Sequence, residues 1–308
     1  MAKQLHILNG FSTHHLFVKS GLTGDVCVWD EILSEGPGTY AIASEQFWAM
    51  RRSFVAAAFG AADEQYDVLI QHFAKIQSYE SYDELVLWYE YDLFCQVNLM
   101  ALLSWLYVAG AHRKTTIQLI CVGEEPGFPG LVGLGQLPAS KYPALYARRA
   151  ALSDSDMSYA DSVWRAYSGD DPRALAFATS YHTTFTYLSD AIKAHYRRFP
   201  DDSGLNEIEH EILKFVSVEK PGDVRRLVRH LLLWQRYYGF GDLQYFYYIK
   251  ALRAFINFDE PLALTEVGKQ ALNTGINRGD YPEMELTLGG SNANDYYRKG
   301  DQLYPQIS

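Results

Sequence analysis

Hydrophobic and polar positions follow two rhythms in the first part of this chain. Four short segments are apolar nearly throughout: residues 5–8 (LHIL), 25–29 (DVCVW), 84–89 (ELVLWY) and 115–122 (TTIQLICV). Runs this short and rich in β-branched residues predict buried strands. Between them the apolar positions recur every three or four residues, predicting helices over 13–20, 43–59, 63–78 and 92–109. Strands that alternate with helices, and that show no polar face, predict an α/β fold. Its sheet should be mainly parallel and covered on both sides, in three layers.

Residues 124–140 (EEPGFPGLVGLGQLPAS) break this rhythm with Gly and Pro and predict a long loop beside the sheet. Helices are expected at 141–151, 155–168 and 171–198, the last long enough to link two halves. The turn-rich segment 200–204 (PDDSG) marks a boundary, giving an α/β domain with a helical extension over 1–200 and a second domain over 204–308. The second domain has helical periodicity at 205–217, with Leu205, Ile208, Ile212, Leu213 and Val216 on one face, then at 222–237 and 242–256. A short strand at 261–265 and an LTxxG turn (Leu264 to Gly268) follow. Three helices, a strand and such a turn predict a winged-helix-like unit. The tail with Gly289 and Gly290 either supplies the wing or returns to the first domain.

Composition narrows the partners. The chain has 308 residues, 48% hydrophobic and 21% charged, enough apolar material for ordinary cores. Its net charge of −10 argues against a general nucleic-acid binder. Residues 220–253 reverse that sign locally, but the third helix there (DLQYFYYIKALRAF) is too aromatic to read base edges. Residues 1–10 lack a leader-like apolar stretch, and no long uncharged span predicts a membrane segment. Cys27, Cys95 and Cys121 have no CxxC spacing and sit in apolar runs, so reduced thiols and a cytoplasmic location are expected. The 23 tyrosines fit packed domain interfaces, and they permit a homodimer.

Candidate chemistry clusters where strands end. Asn9 and Gly10 close the first strand, and Ser12 and Thr13 open a helix. That turn aims backbone N–H groups and a helix dipole at one point, suited to a phosphate or carboxylate. Trp29, Asp30, Glu31, Glu35 and Gly36 follow the second strand, and Glu35 is a candidate general base. Trp88 and Asp92 follow the third, with Asp92 as helix N-cap and Gln96 one turn on; Asp92 is the other candidate base. In open α/β sheets this edge is where ligands bind. No HExxH, Cys/His quartet, GxSxG or phosphate-loop signature is present, so no metal site is expected and no cofactor is indicated.

Three segments, HILNGFST, VCVWDEILSEGP and LVLWYEYDLFCQVNL, resemble the bacterial family catalogued as domain of unknown function 1835. The resemblance covers about residues 4–125. It implies recurrent positions at Asn9, Gly10, Ser12, Trp29, Glu35, Gly36, Pro37, Trp88, Asp92 and Gln96, and no known reaction. Family members often carry a His just before the Asp, where this chain has Tyr91. The family's helical C-terminal region often ends in an LTxxG-type segment, as Leu264 to Gly268 does here. The expected function is binding of a small anionic metabolite or nucleotide at the strand ends. The alternatives are a hydrolase or transferase using Asp92 or Glu35, and a ligand-responsive transcriptional regulator.

Overall fold

A computed structural model describes residues 2–61 and 63–306. The chain opens with β1 (Gln4–Leu8), α1 (Phe11–Lys19), β2 (Asp25–Val28), the two-residue β3 (Gly36–Pro37), α2 (Glu45–Phe59) and α3 (Asp63–Gln77). It continues with β4 (Glu84–Glu90), α4 (Leu93–Val108), β5 (Thr116–Val122), α5 (Tyr142–Ala147), β6 (Ala150–Ala151), α6 (Asp154–Tyr167) and α7 (Leu188–Tyr196). Then come α8 (Glu207–Glu219), α9 (Val224–Trp234), α10 (Asp242–Ala251), β7 (Ile256–Asn257), β8 (Ala263–Leu264) and α11 (Glu266–Thr274). The tail forms β9 (Thr287–Gly289), β10 (Ser291–Asn292), β11 (Tyr296–Lys299) and β12 (Gln302–Pro305).

The fold is mixed α/β. Its main sheet has the order β2-β1-β4-β5-β6, parallel except for β6. Alternate side chains of the strands separate into two cores. Leu5, Ile7, Cys27, Leu85, Leu87, Tyr89, Ile117 and Leu119 face α3 and α4. Leu8, Val28, Val86, Trp88, Ile120 and Val122 face α1, α5 and the loop at Leu134. Helix α4 is buried along most of its length, because α6 and α7 cover the side away from the sheet. No helix among the described residues is long and apolar enough to cross a membrane.

Some expected boundaries differ. Helix α1 begins at Phe11, earlier than residue 13, so Ser12 and Thr13 lie inside it. The expected helix 171–198 is three pieces: a 3-10 run over Pro172–Thr179, an irregular stretch, and α7. In the stretch the His182 ring accepts hydrogen bonds from the N–H groups of Thr184 and Phe185, which replaces helical pairing. The expected strand at 261–265 is present as β8, paired with β7. The Gly289–Gly290 tail returns to the sheet domain, where β9 pairs in parallel with β3. A Cβ at Gly289 would stand 2.1 Å from the Tyr167 carbonyl oxygen, so this approach requires glycine.

Contacts across residues 200–204 are extensive. Tyr237 and Tyr238 carbonyls accept the N–H groups of Leu93 and Phe94 at the start of α4. Phe54 and Phe59 of α2 pack edge-on against Tyr247 of α10. Arg198 Nε donates to Tyr248 Oη across this boundary at 3.1 Å, and on the near side of it Arg198 and Glu35, both fully buried, form an ion pair at 2.5 Å. Arg198→Ala would strand the Glu35 carboxylate in the core. A loss of about 3–5 kcal/mol in urea unfolding is expected; a loss under about 1 kcal/mol would show that the pair does not hold the fold.

Candidate functional site

The strand order reverses direction beside β1: the chain passes from β1 to β2 on one side and to β4 on the other. Such a switch point opens a crevice outside the carboxyl ends of the two central strands. A cleft of ≈ 330 Å³ lies there, lined by Asn9, Gly10 and Ser12 after β1 and by Glu90, Tyr91, Asp92, Phe94 and Cys95 after β4. Gly133, Gly135 and Gln136 of the Gly-rich loop form another wall, and Gln235, Gly239 and Phe240 close it from the α9–α10 turn.

Each part has a local cause. Gly10 caps α1 without a side chain, and no described residue accepts the N–H groups of Phe11, Ser12 or Thr13. These unpaired donors carry the positive end of the α1 dipole. Asp92 caps α4, its Oδ1 accepting the Cys95 N–H at 2.8 Å. Its Oδ2 accepts no hydrogen bond among the described residues, although the side chain is over nine-tenths buried. Glu90 is held by Asn9 Nδ2 at 2.9 Å and by the Leu134 N–H at 2.8 Å, both on Oε1. Two glycines permit the carboxyls to fit: a Cβ at Gly133 would lie 2.4 Å from Glu90 Oε2, and one at Gly239 would lie 2.2 Å from Asp92 Cγ.

The electrostatics are acidic. Burial pushes the Asp92 carboxyl up to about 7; the Glu90 charge adds to this and the Cys95 N–H opposes it. Burial also raises Glu90, against the pull of Asn9 and the Leu134 and Gly135 N–H groups. Like charges this close favour sharing a proton. Among the described residues Glu90, Asp92 and Cys95 form the one group of three whose metal-ligating atoms lie within 4.8 Å of one another. Burial holds the Cys95 thiol far above its ordinary range, so a cation there must displace a proton.

The sequence-predicted residues divide. Asn9, Gly10, Ser12 and Asp92 come together in the cleft. Thr13 and Gln96 sit behind it: Thr13 Oγ1 donates to Asn9 Oδ1 at 2.7 Å, and Gln96 Nε2 donates to the Glu90 carbonyl at 2.7 Å. The second strand's residues go elsewhere. Trp29 is buried in the core with its Nε1 donating to the Asn98 carbonyl. Trp88 is buried on the opposite sheet face, donating to His6 Nδ1. Glu35 is closed off in its ion pair with Arg198, and Gly36 lies in β3 against the Phe54 ring. Thus Glu35 has no access to a substrate in the cleft, and it is corrected from candidate base to structural anchor.

Glu90, the Gly133–Gln136 loop and the Gly239 turn were not among the expected site residues. Glu90 left a signal, a carboxylate ending an otherwise apolar strand, which needs partners. The Gly239 turn left none, since it is brought in by packing across the chain. No family model matches the sequence, and no curated protein matches it either.

The raised Asp92 carboxyl has a consequence for stability. The folded state holds its proton more tightly than the unfolded state, so between about pH 4 and pH 7 the fold binds more protons. Its contribution is therefore present at low pH and lost as pH rises through about 7. Asp92→Asn keeps a capping oxygen and removes this titration. The stability difference between about pH 5 and pH 8 in urea unfolding should shrink by about 2 kcal/mol. An unchanged difference would place the titration elsewhere.

Proposed function

We propose that the cleft binds a small metabolite through an anionic group held at the N-terminus of α1, with Asp92 facing the ligand's polar part. The observation that carries this reading is the meeting, at a topological switch point, of three unpaired helix N–H groups and a buried carboxyl with a free oxygen. A reaction is favoured over passive binding by one further fact, since a carboxyl near 7 is matched to proton transfer at neutral pH. Asp92 is then the general acid–base group of a hydrolase or transferase.

We also propose membership of the domain of unknown function 1835 family, because two of its three resembling segments supply the cleft. Residues 207–274 are proposed as a winged-helix-like unit: three helices, the β7–β8 ribbon and α11 follow in the expected order. Its role here is to wall the cleft. The helix that would read DNA, α10, packs against α2, which disfavours the regulator reading.

Thermal shift tests the binding reading with nucleotides, sugar phosphates and small carboxylic acids. A ligand of the cleft should raise the melting temperature by about 2–4 °C at a tenfold excess over Kd. The rise should vanish in Ser12→Trp, which fills the mouth. A rise that survives Ser12→Trp places binding elsewhere. Where turnover is found, Asp92→Asn should lower kcat at least about 100-fold while folding is kept.

A further inference from the structure

We infer that the ligand of this cleft is a zwitterion of amino-acid size, its acidic group at the α1 N-terminus and its basic nitrogen between Asp92 and Glu90. This deepens the preceding reading and rests on it. Among the described residues the lining contains no Lys, Arg or His. Among the described residues the buried arginines Arg51, Arg198 and Arg278 are already committed to Glu31, Glu35 and Glu209. A phosphate dianion would therefore meet two carboxyls and no cation, with only backbone dipoles in its favour.

The unmet hydrogen-bonding groups have opposite character at the two ends. At α1 they are donors, the N–H groups of Phe11, Ser12 and Thr13. On the facing wall they are acceptors. Asp92 Oδ2, in a side chain over nine-tenths buried, accepts no hydrogen bond among the described residues, and Glu90, whose donors are an amide and backbone N–H groups, brings a second carboxyl with no cation beside it. An ammonium group has donors only and suits that wall. Tyr91 and Phe94 add aromatic surface beside it, which also favours a cation, whereas the Phe240 ring already carries the Arg198 guanidinium, 5.2 Å from its centroid. A carboxylate alone, or an amine alone, satisfies one end and leaves the other desolvated.

The test uses the full chain near neutral pH. The probes are the common α-amino acids and γ-aminobutyrate, each with its deaminated acid and its decarboxylated amine, plus inorganic phosphate, MgCl₂ and ZnCl₂. At least one zwitterion should raise the melting temperature by about 2–4 °C. Its deaminated and decarboxylated partners should bind at least tenfold more weakly. The shift should disappear in Asp92→Asn and in Ser12→Trp and persist in the exposed α3 variant Glu64→Gln. Calorimetry should show proton release on binding, because a cation beside Asp92 favours its ionised form. Should Asp92→Asn fold poorly, Glu90→Gln and the wild-type proton release decide.

Three outcomes overturn the zwitterion while sparing the cleft: equal binding of the deaminated acid, equal binding of phosphate, or a shift produced by a metal salt alone and removed by EDTA. A shift that survives Ser12→Trp overturns the cleft reading itself. No shift from any probe overturns the inference.

Discussion

Backbone carbonyls in a buried loop must find donors, and residues 31–35 between β2 and α2 find most of theirs in distant side chains. Residues 31–35 are mostly buried without regular structure, a costly arrangement for a connecting segment. Asn98 donates to the Glu31 carbonyl, Arg51 to those of Ile32, Glu35 and Pro37, Tyr167 to Leu33, and Arg198 to Ser34. The donors come from α2, α4, α6 and the residue two beyond α7. This loop is thus the hub on which the helices converge, and β9 docks at its end on β3. The charges are balanced in place: Glu31 pairs with Arg51 and Glu35 with Arg198, with no exposed surface on either arginine.

The same hub explains what could and could not be read from the sequence. The sheet was legible because each strand is a short apolar run, and Asp92 was legible because capping is a local affair between residues 92 and 95. The convergence of Asn9 and Asp92 followed from strand order alone. Glu35 misled for the opposite reason. A glutamate beside Gly-Pro after a strand reads as an accessible loop acid, and its true partner stands 163 residues away. The irregular stretch before α7 was illegible in kind: its helical pattern is fair, and His182 ends it through a contact no propensity registers. Gly239 was invisible because only the folded chain brings a tight turn against the Asp92 carboxyl.

The cleft inherits its character from this division of charge. The buried acids of the second strand's loop are neutralised by arginine, whereas those after β4 have none. Glu90 is instead tied by an amide and backbone N–H groups, and Asp92 by the N–H of Cys95. The fold therefore keeps two kinds of buried carboxyl a short distance apart in sequence, one kind compensated and one open. Hydrogen bonds from neutral groups orient a carboxyl without fixing its proton, which is the state a site needs if it is to exchange charge with a ligand.

Gly36 shows how far this arrangement constrains the chain's history. Its left-handed backbone and the Phe54 ring, 2.4 Å from where a Cβ would stand, leave no slack at the end of the hub loop. Loops rich in Gly and Pro are ordinarily where related chains differ in length. Here an inserted residue would shift every carbonyl off its donor at once, so length variation is expected to fall instead in exposed turns such as the one between α8 and α9, at Lys220 and Gly222. A Gly-Pro break that reads as slack in the sequence is here a fixed point of the fold.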